Sequence, residues 1–350
     1  MNYRNLLAGL AAGLLFYAQT GAELALAAVP KDAPKDIKYI LGFYYGNGEN
    51  ILIRENNGRL ELLYRTALED KSFAAANLYP LSKVHFDSYT LQESGPMSNT
   101  EAGVRFERDP DGYGISCRVG GNTYSRYFLG TTAGERAKPF RLEERSAEDW
   151  AKLRAEAAAV PAALAAGEQA QLVDAATVAG VKVNSVYAGS DNLFGAPLYT
   201  TPKLFVSKEA AAALGKVQQR LAPYGYGLVL WDAYRPWSVS KLANLALPAD
   251  NKEMLEDPET KGSTHNTGNA VDVGLYSLES GEELDMGCGF DEPSLRQYAG
   301  YVGGTSRERY LRSLLREEME LQGFKGIEME WWHFEFGDCS KFAHLNVSNQ

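Results

Sequence analysis

Apolar and polar residues change rhythm once along this chain, near residue 170. Over residues 39–129 the apolar positions come in short runs cut by turn residues. Ile40-Leu41-Gly42-Phe43-Tyr44-Tyr45 meets Gly46-Asn47-Gly48-Glu49-Asn50, then Ile51-Leu52-Ile53 follows, and Asn56-Asn57-Gly58 leads into Leu60-Glu61-Leu62-Leu63-Tyr64. Run, turn and run in this order predict hairpins. Further runs at 83–86, 103–108, 114–119 and 122–128 extend the pattern into an antiparallel meander curling into a small all-β barrel. Ser146 with Asp149 three residues on marks a helix start, and the Ala-rich stretch 161–171 reads as a linker. Beyond residue 172 helices and strands alternate. Ser207 precedes a helix to about 221, and 227–231 is a buried strand running into Asp232-Ala233-Tyr234-Arg235-Pro236. Thr305-Ser306-Arg307-Glu308 is a capping box, followed by Leu311, Leu314, Leu315, Met319 and Leu321 at helical spacing and closed by Gly323. Strands are expected at 269–276 and 327–336.

A chain of 350 residues, 45% hydrophobic and 23% charged, fits two folded domains. Its formal charge of −10 offers no basic footprint, so nucleic acid is excluded as a partner. Arg4, the apolar run 6–17 and Ala25-Leu26-Ala27 read as a secretory signal peptide cleaved after Ala27 or Ala28. That run is shorter than the roughly 20 residues of a spanning helix. An exported chain, periplasmic or secreted, with no stable membrane insertion after cleavage, is therefore expected. In an oxidising compartment Cys288 and Cys339 are expected to bridge and Cys117 to stay free. The resulting division is a signal peptide at 1–28, a small β domain at 31–145, a helix and linker at 146–171, and a second domain at 172–345.

Two segments carry chemistry. In Ser263-Thr264-His265-Asn266-Thr267-Gly268-Asn269-Ala270-Val271-Asp272, strand alternation puts Asp272 on one face with Ala270 and Gly274, where small neighbours leave room beside the carboxylate. In Glu328-Met329-Glu330-Trp331-Trp332-His333-Phe334-Glu335-Phe336, a His and an acid stand three apart beside two Trp. Two imidazoles and a carboxylate form a zinc set of the catalytic type, and a further acid can take a proton from water. A His beside Trp is equally a core residue with one hydrogen bond, and Asp272 equally a buried cap or half of an ion pair. Two of the four His fall in these segments; the others, His85 and His344, have no such neighbours and are read as structural. Glu330 and His333, three apart, would point to opposite faces of a regular strand, so for both to reach one site Glu330 is expected to lie before the regular strand, or a bulge or turn to intervene.

Ser263-x-His265-x-x-Gly268-x-Ala270-x-Asp272 followed by Glu330-Trp331-Trp332-His333 resembles the zinc D-alanyl-D-alanine dipeptidases of the VanX type. These stand in the larger group of D,D-carboxypeptidases and the Hedgehog signalling domain. Supporting segments occur in the same order, among them 225–236, Gly281-Glu282, Met286-Gly287, Phe290-Asp291 and Gly323-Phe324. The likeness covers about 172–338. It implies an α+β catalytic domain with a central antiparallel sheet, one Zn²⁺ held by His265, Asp272 and His333, Glu330 as catalytic base, and Arg235 on the scissile carbonyl. Ser263 and Asp291 match positions implied to hold the substrate carboxylate and ammonium. The β-rich half is similar in rhythm to lipocalin-like modules of some secreted hydrolases.

The expected activity is zinc-dependent hydrolysis of D-alanyl-D-alanine or similar small D,D-dipeptides in cell-wall peptide turnover, with possible cell-wall contact through the N-terminal domain. The rival readings are a D,D-carboxypeptidase or endopeptidase on peptidoglycan stem peptides, and a zinc-dependent binding module without catalysis. Glu330 and Arg235 argue against the last.

Overall fold

The computed structural model describes residues 29–65, 77–91, 103–127, 141–157 and 160–348. The expected signal peptide lies outside them. After a short helix α1 (Lys35–Lys38), eight strands form a closed up-and-down barrel: β1 (Gly42–Gly46), β2 (Glu49–Asn56), β3 (Arg59–Arg65), β4 (Asn77–His85), β5 (Ser88–Leu91), β6 (Gly103–Arg108), β7 (Gly114–Val119) and β8 (Asn122–Arg126). Each strand is antiparallel to the next, and β8 closes on β1 through Tyr44 opposite Arg126 and Tyr45 opposite Ser125. Two tight hairpins have the chemistry their sequence announces. Asn47-Gly48 and Asn57-Gly58 all take positive φ, as a two-residue type I′ turn requires. Alternation sends Tyr44, Ile51, Ile53, Leu62, Phe106 and Tyr124 inward, so the barrel is filled by side chains.

The strand expected at 83–86 is instead the end of β4, and the chain turns at Phe86-Asp87 before β5. Asp87 has φ 60°, and Val84 and Phe86 are exposed. That apolar run tips a hairpin and buries nothing.

The second half is built on a five-stranded sheet of order β10 (Lys182–Val183), β12 (Tyr226–Asp232), β13 (Ala270–Ser277), β15 (His333–Phe336) and β14 (Phe324–Gly326). β12, β13, β15 and β14 pair antiparallel, as expected of the central sheet, and β10 adds one parallel strand at the edge. β9 (Leu172–Asp174) and β11 (Phe205–Ser207) form a separate pair. Helices α2 (Ala147–Glu156), α3 (Lys208–Leu221), α4 (Trp237–Ala246) and α5 (Ser306–Glu320) complete the domain. Leu214, Val217 and Leu221 of α3 and Leu311, Leu314, Leu315 and Met319 of α5 share one core with Val271, Val273 and Leu275 of β13. Leu321, expected in that stripe, ends the helix exposed. Among the described residues no helix is long and apolar enough to cross a membrane.

Three further expectations are corrected. The strand at 327–336 is regular only from His333. A turn occupies the buried Trp331 and Trp332, and Trp331 N–H donates to the Gln297 carbonyl at 2.9 Å. The Ala-rich segment is no loose tether. Glu168 N–H donates to Lys341 O (2.9 Å), Glu168 O accepts from Ala343 N–H (2.8 Å), and Leu164 O accepts from His344 N–H (2.8 Å). Gly167, at φ +130°, has no space for a Cβ, which would meet Ala343 N at 2.9 Å. Finally, Cys288 and Cys339 are not bridged. Cys288 lies against Trp331, whose Nε1–H points at its sulfur at 3.2 Å, and Cys339 sits in the turn after β15.

The barrel is fastened to the N-terminus of α5. Thr305 Oγ1 accepts from Glu308 N–H and Glu308 accepts from Thr305 N–H, the expected capping box. A free first-turn donor remains, and the barrel supplies its acceptor: the buried Glu55 of β2 takes Ser306 N–H at 2.7 Å. Glu55 N–H also donates to Gly304 O (3.0 Å), Arg309 donates to Glu55 O (2.9 Å), and Asn57 N–H donates to Ser306 Oγ (2.7 Å). Leu52 and Leu63 pack on Tyr301 beside this joint. A carboxylate at a helix N-terminus satisfies an orphan donor and meets the positive end of the dipole. Glu55→Ala removes the carboxylate and strands the buried Ser306 N–H, while the bonds through the Glu55 backbone remain; it is expected to cost about 1–3 kcal/mol. Urea unfolding checks this, and an unchanged midpoint would show that the joint contributes nothing.

Candidate metal and catalytic centre

Sheet register assembles the site. Asp272 on β13 stands opposite His333 on β15 and, on its other side, opposite Asp232 on β12. His265 comes from a 3₁₀ turn, Thr264–Thr267, leading into β13. Ser263 caps that turn and Asn266 returns the bond to the Ser263 N–H, so the histidine is set by a complete capping box. Gly268 ends it at φ 78°, where a Cβ would meet Leu172 at 2.5 Å.

Nε2 of His265 lies 3.1 Å from Nδ1 of His333. Asp272 places Oδ1 3.1 Å from His333 Nδ1 and Oδ2 3.3 Å from His265 Nε2. Three donors each about 2.1 Å from one tetrahedral ion are about 3.4 Å apart; here the two nitrogens stand 3.1 Å apart, and one ligand atom from each of the three buried residues lies within 4.8 Å of the others. Protonation agrees. His265 Nδ1 is 2.7 Å from the Ala233 carbonyl, which takes its proton and leaves the Nε2 lone pair facing inward. His333 Nε2 lies 3.4 Å from Thr264 Oγ1 and 3.6 Å from Glu335, leaving Nδ1 as the inward atom. Burial alone would raise the Asp272 pKa, yet His265 and His333 hold it well below the usual carboxylate range. Burial likewise pushes His333 down, but Asp272 and Glu335 carry it up to about 10. The pocket thus favours positive charge at its centre, and its nitrogen and oxygen donors suit a zinc ion. Among the described residues this is the trio of His, Cys, Asp or Glu gathered closely enough to hold a metal.

Arg235 is buried beside it. Its Nε and one terminal nitrogen both donate to Asp232 Oδ2, at 2.9 and 2.6 Å, and the guanidinium lies over the Tyr187 ring, 5.1 Å from its centroid. The other Asp232 oxygen accepts from Tyr199 O–H and from Ala233 N–H. With both oxygens occupied, Asp232 fixes the guanidinium, which reaches within 3.9 Å of Asp272. Glu330 is half-buried, with the turn at Trp331-Trp332 between it and His333, as the offset of three residues demanded. Burial pushes its pKa up, with His333 opposing. Asp291, at φ 57°, accepts a hydrogen bond from Tyr187 O–H, and burial pushes it up to about 8.

Arg235, Asp291 and Glu330 line one cleft of about 880 Å³ with Tyr187 and Trp332. Ser263 does not line it; its oxygen accepts from His265 N–H at 3.3 Å. His85 is exposed on β4, and His344 is half-buried away from the trio, packed on Gly262. The site also depends on residues that sequence reasoning gave no role: Asp232, Tyr187 and Tyr199. An acid ending the wholly apolar run 226–231 was a signal for Asp232. The two tyrosines, in irregular chain, gave none.

Comparison with known proteins agrees with this geometry. A family model of the M15 peptidases, described as D-ala-D-ala dipeptidase, matches residues 168–348. The chain is similar to a D-alanyl-D-alanine dipeptidase of Enterococcus faecalis, 38% identical over 176 residues that cover 45% of this chain and 87% of that protein. It is also similar to the dipeptidases of that name from Enterococcus faecium, at 34% over 46% of this chain and 88% of the relative, and Escherichia coli, at 35% over 50% and 89%. The barrel strands precede the matched region, which contains the trio, Arg235, Asp291 and Glu330. With the matched region and the buried trio in the same half, the chain belongs to the M15 peptidase family of D-Ala-D-Ala dipeptidases.

Proposed function

We propose that this protein is a zinc-dependent hydrolase of D-alanyl-D-alanine or closely similar D,D-dipeptides. The observation that carries the reading is the convergence of His265 Nε2, His333 Nδ1 and the Asp272 carboxylate beside a cleft that also holds Glu330 and Arg235. Zinc at this trio supplies Lewis acidity toward water and the scissile carbonyl. Glu330 takes the proton of the attacking water and returns it to the leaving amine. Burial raises its pKa, and a raised pKa helps a carboxylate hold the proton it has taken. Arg235, immobilised by Asp232 and Tyr187, presents donors where the oxyanion develops, without reorganising. Asp291 receives the substrate ammonium, and Ser263, whose oxygen accepts from His265 N–H, keeps its own O–H to donate to the substrate carboxylate. Anchoring both termini favours a substrate of two residues.

The leader-like residues 1–28 support action outside the cytoplasm, in turnover of cell-wall peptides. A binding module without catalysis would have no use for an acid and a fixed guanidinium on the same cleft.

Glu330→Gln preserves side-chain size but removes basicity. It is expected to retain zinc after dialysis and to lose at least about 10²-fold in kcat on D-Ala-D-Ala. Metal loss in that variant would make Glu330 a ligand, and near-normal rates would remove it from the mechanism. His333→Ala is expected to lose both metal and activity, and a chelator to abolish turnover until Zn²⁺ is restored.

Arg235→Lys keeps the charge but not the planar fork that grips Asp232, so a fall of about 10²-fold or more in kcat is expected. Initial rates with unchanged zinc content test it, and full activity of the lysine variant would show that charge alone suffices.

A further inference from the structure

Arg235 and His265 come from neighbouring segments, 232–235 at the end of β12 and 263–266 before β13. Hydrogen bonds lace the two in register. Ala233 O lies 2.7 Å from His265 Nδ1, Arg235 N–H donates to His265 O at 3.2 Å, and Asn266 Nδ2 donates to Arg235 O at 2.8 Å. The last of these is made by a side chain that neither belongs to the metal trio nor lines the cleft. It meets a need set by the chain. Arg235 O falls between two regular elements, since β12 ends at Asp232 and the first carbonyl taken by α4 is that of Pro236. A carbonyl in such buried, irregular chain needs a donor from elsewhere, and Asn266 supplies it.

Asn266 is 0% exposed, and both hydrogens of its amide are used. One goes to Arg235 O, the other to Ser240 Oγ of α4 at 2.8 Å, and Oδ1 accepts Ser263 N–H at 2.9 Å. That pattern fixes the orientation, because the reversed amide would set oxygen against the Arg235 carbonyl and N–H against N–H. Its backbone is held as well. Asn266 O accepts from Leu345 N–H (2.8 Å), and Leu345 O in turn accepts from Trp237 N–H (2.9 Å), so the C-terminal tail closes the same seam. Arg235 is thus tied at both ends, its guanidinium by Asp232 and Tyr187 and its backbone by His265 and Asn266.

We infer that Asn266 is a positioning residue, which holds the Arg235 guanidinium in register with the metal trio. The inference rests on the role given to Arg235 in the proposed function. Asn266 touches no reacting atom and works through Arg235. A guanidinium serves a developing oxyanion only where its donors already point at it, and a displacement of about 1 Å costs up to about 10²-fold in rate. Capping the His265 turn is a separate duty and employs Oδ1 alone; the two donated hydrogens leave the turn for Arg235 and α4. Asn266→Asp parts the two duties. It keeps the size and the acceptor for Ser263 N–H and removes both N–H donors.

The test uses the full zinc-loaded chain, with Asn266→Asp and, should the buried acid impair folding, Asn266→Ala. On D-Ala-D-Ala each variant should retain zinc after dialysis and keep KM within about twofold while kcat falls by about tenfold or more, the pattern of an interaction made in the transition state. Combined with Arg235→Lys, the same substitution should cost less than about twofold further, because the group it positions is gone. The Arg235 Nε–H resonance, assigned by its absence in Arg235→Lys, gives a readout without substrate. It should shift and exchange faster with solvent in the Asn266 variants. An unchanged kcat, an equal loss on both backgrounds, a fall explained by zinc loss, or an unmoved resonance would overturn the inference. If the wild-type chain hydrolyses no D,D-dipeptide and the resonance still responds, the hydrolytic reading fails and the positioning role stands.

Discussion

Asp232 and Asp272 are cross-strand neighbours in the middle of the sheet, 0% and 2% exposed. Like charges opposite one another on adjacent strands repel, and buried carboxylates without partners are costly. The arrangement holds only because each acid has its own compensation: Arg235, Tyr199 and a backbone N–H for Asp232, and two imidazoles for Asp272. Most of the site follows from that division. The arginine is rigid because it neutralises one acid, and the histidines converge on the other, where a bound cation would complete the compensation.

The backbone is shaped to the same end. The β12–β13 register shifts between Leu230 and Asp232, an irregularity of the kind that re-aims a side chain near an active site. Trp231, at the shift, lies over Gly274, where a Cβ would fall 2.5 Å from its ring, and its Nε1–H donates to Glu283 at 2.9 Å. The glycine on the Asp272 face thus makes room for an indole. Across the sheet, the turn that buries Trp331 and Trp332 is also what lets Glu330 and His333, three residues apart, serve one centre.

The parts that could be read in the sequence are those with local physical signatures. Asn-Gly dipeptides between apolar runs announce the barrel's hairpins and Thr305 with Glu308 announces the start of α5, while the metal trio is picked out by the likeness of 263–272 and 330–333 to the zinc dipeptidases, spacing alone leaving a structural role open. The requirement for a break between Glu330 and His333 followed from strand geometry alone. The misses are tertiary. Val84 and Phe86 look like a buried strand but tip a hairpin, and 161–171 looks like a tether but pairs with the C-terminal tail. Cys288 and Cys339 share a domain without forming a bridge. Tyr187 and Tyr199 matter only because the fold brings irregular segments against Asp291 and Asp232, which no periodicity encodes.

The joint between the domains ties the outer wall of the cleft to its inner one. Glu55 on β2 holds the first turn of α5, and Leu52 and Leu63 seat Tyr301 beside it. Phe43, on the adjacent β1, packs on the same Tyr301, and Tyr301 itself lines the cleft. The contacts that fix the barrel on the catalytic half therefore also fix the barrel's side of the cleft, where Phe43 stands, relative to Asp291. A barrel filled by its own side chains has no interior to offer a ligand. What it presents to the catalytic half is its outer face, which the Glu55 joint holds against the first turn of α5.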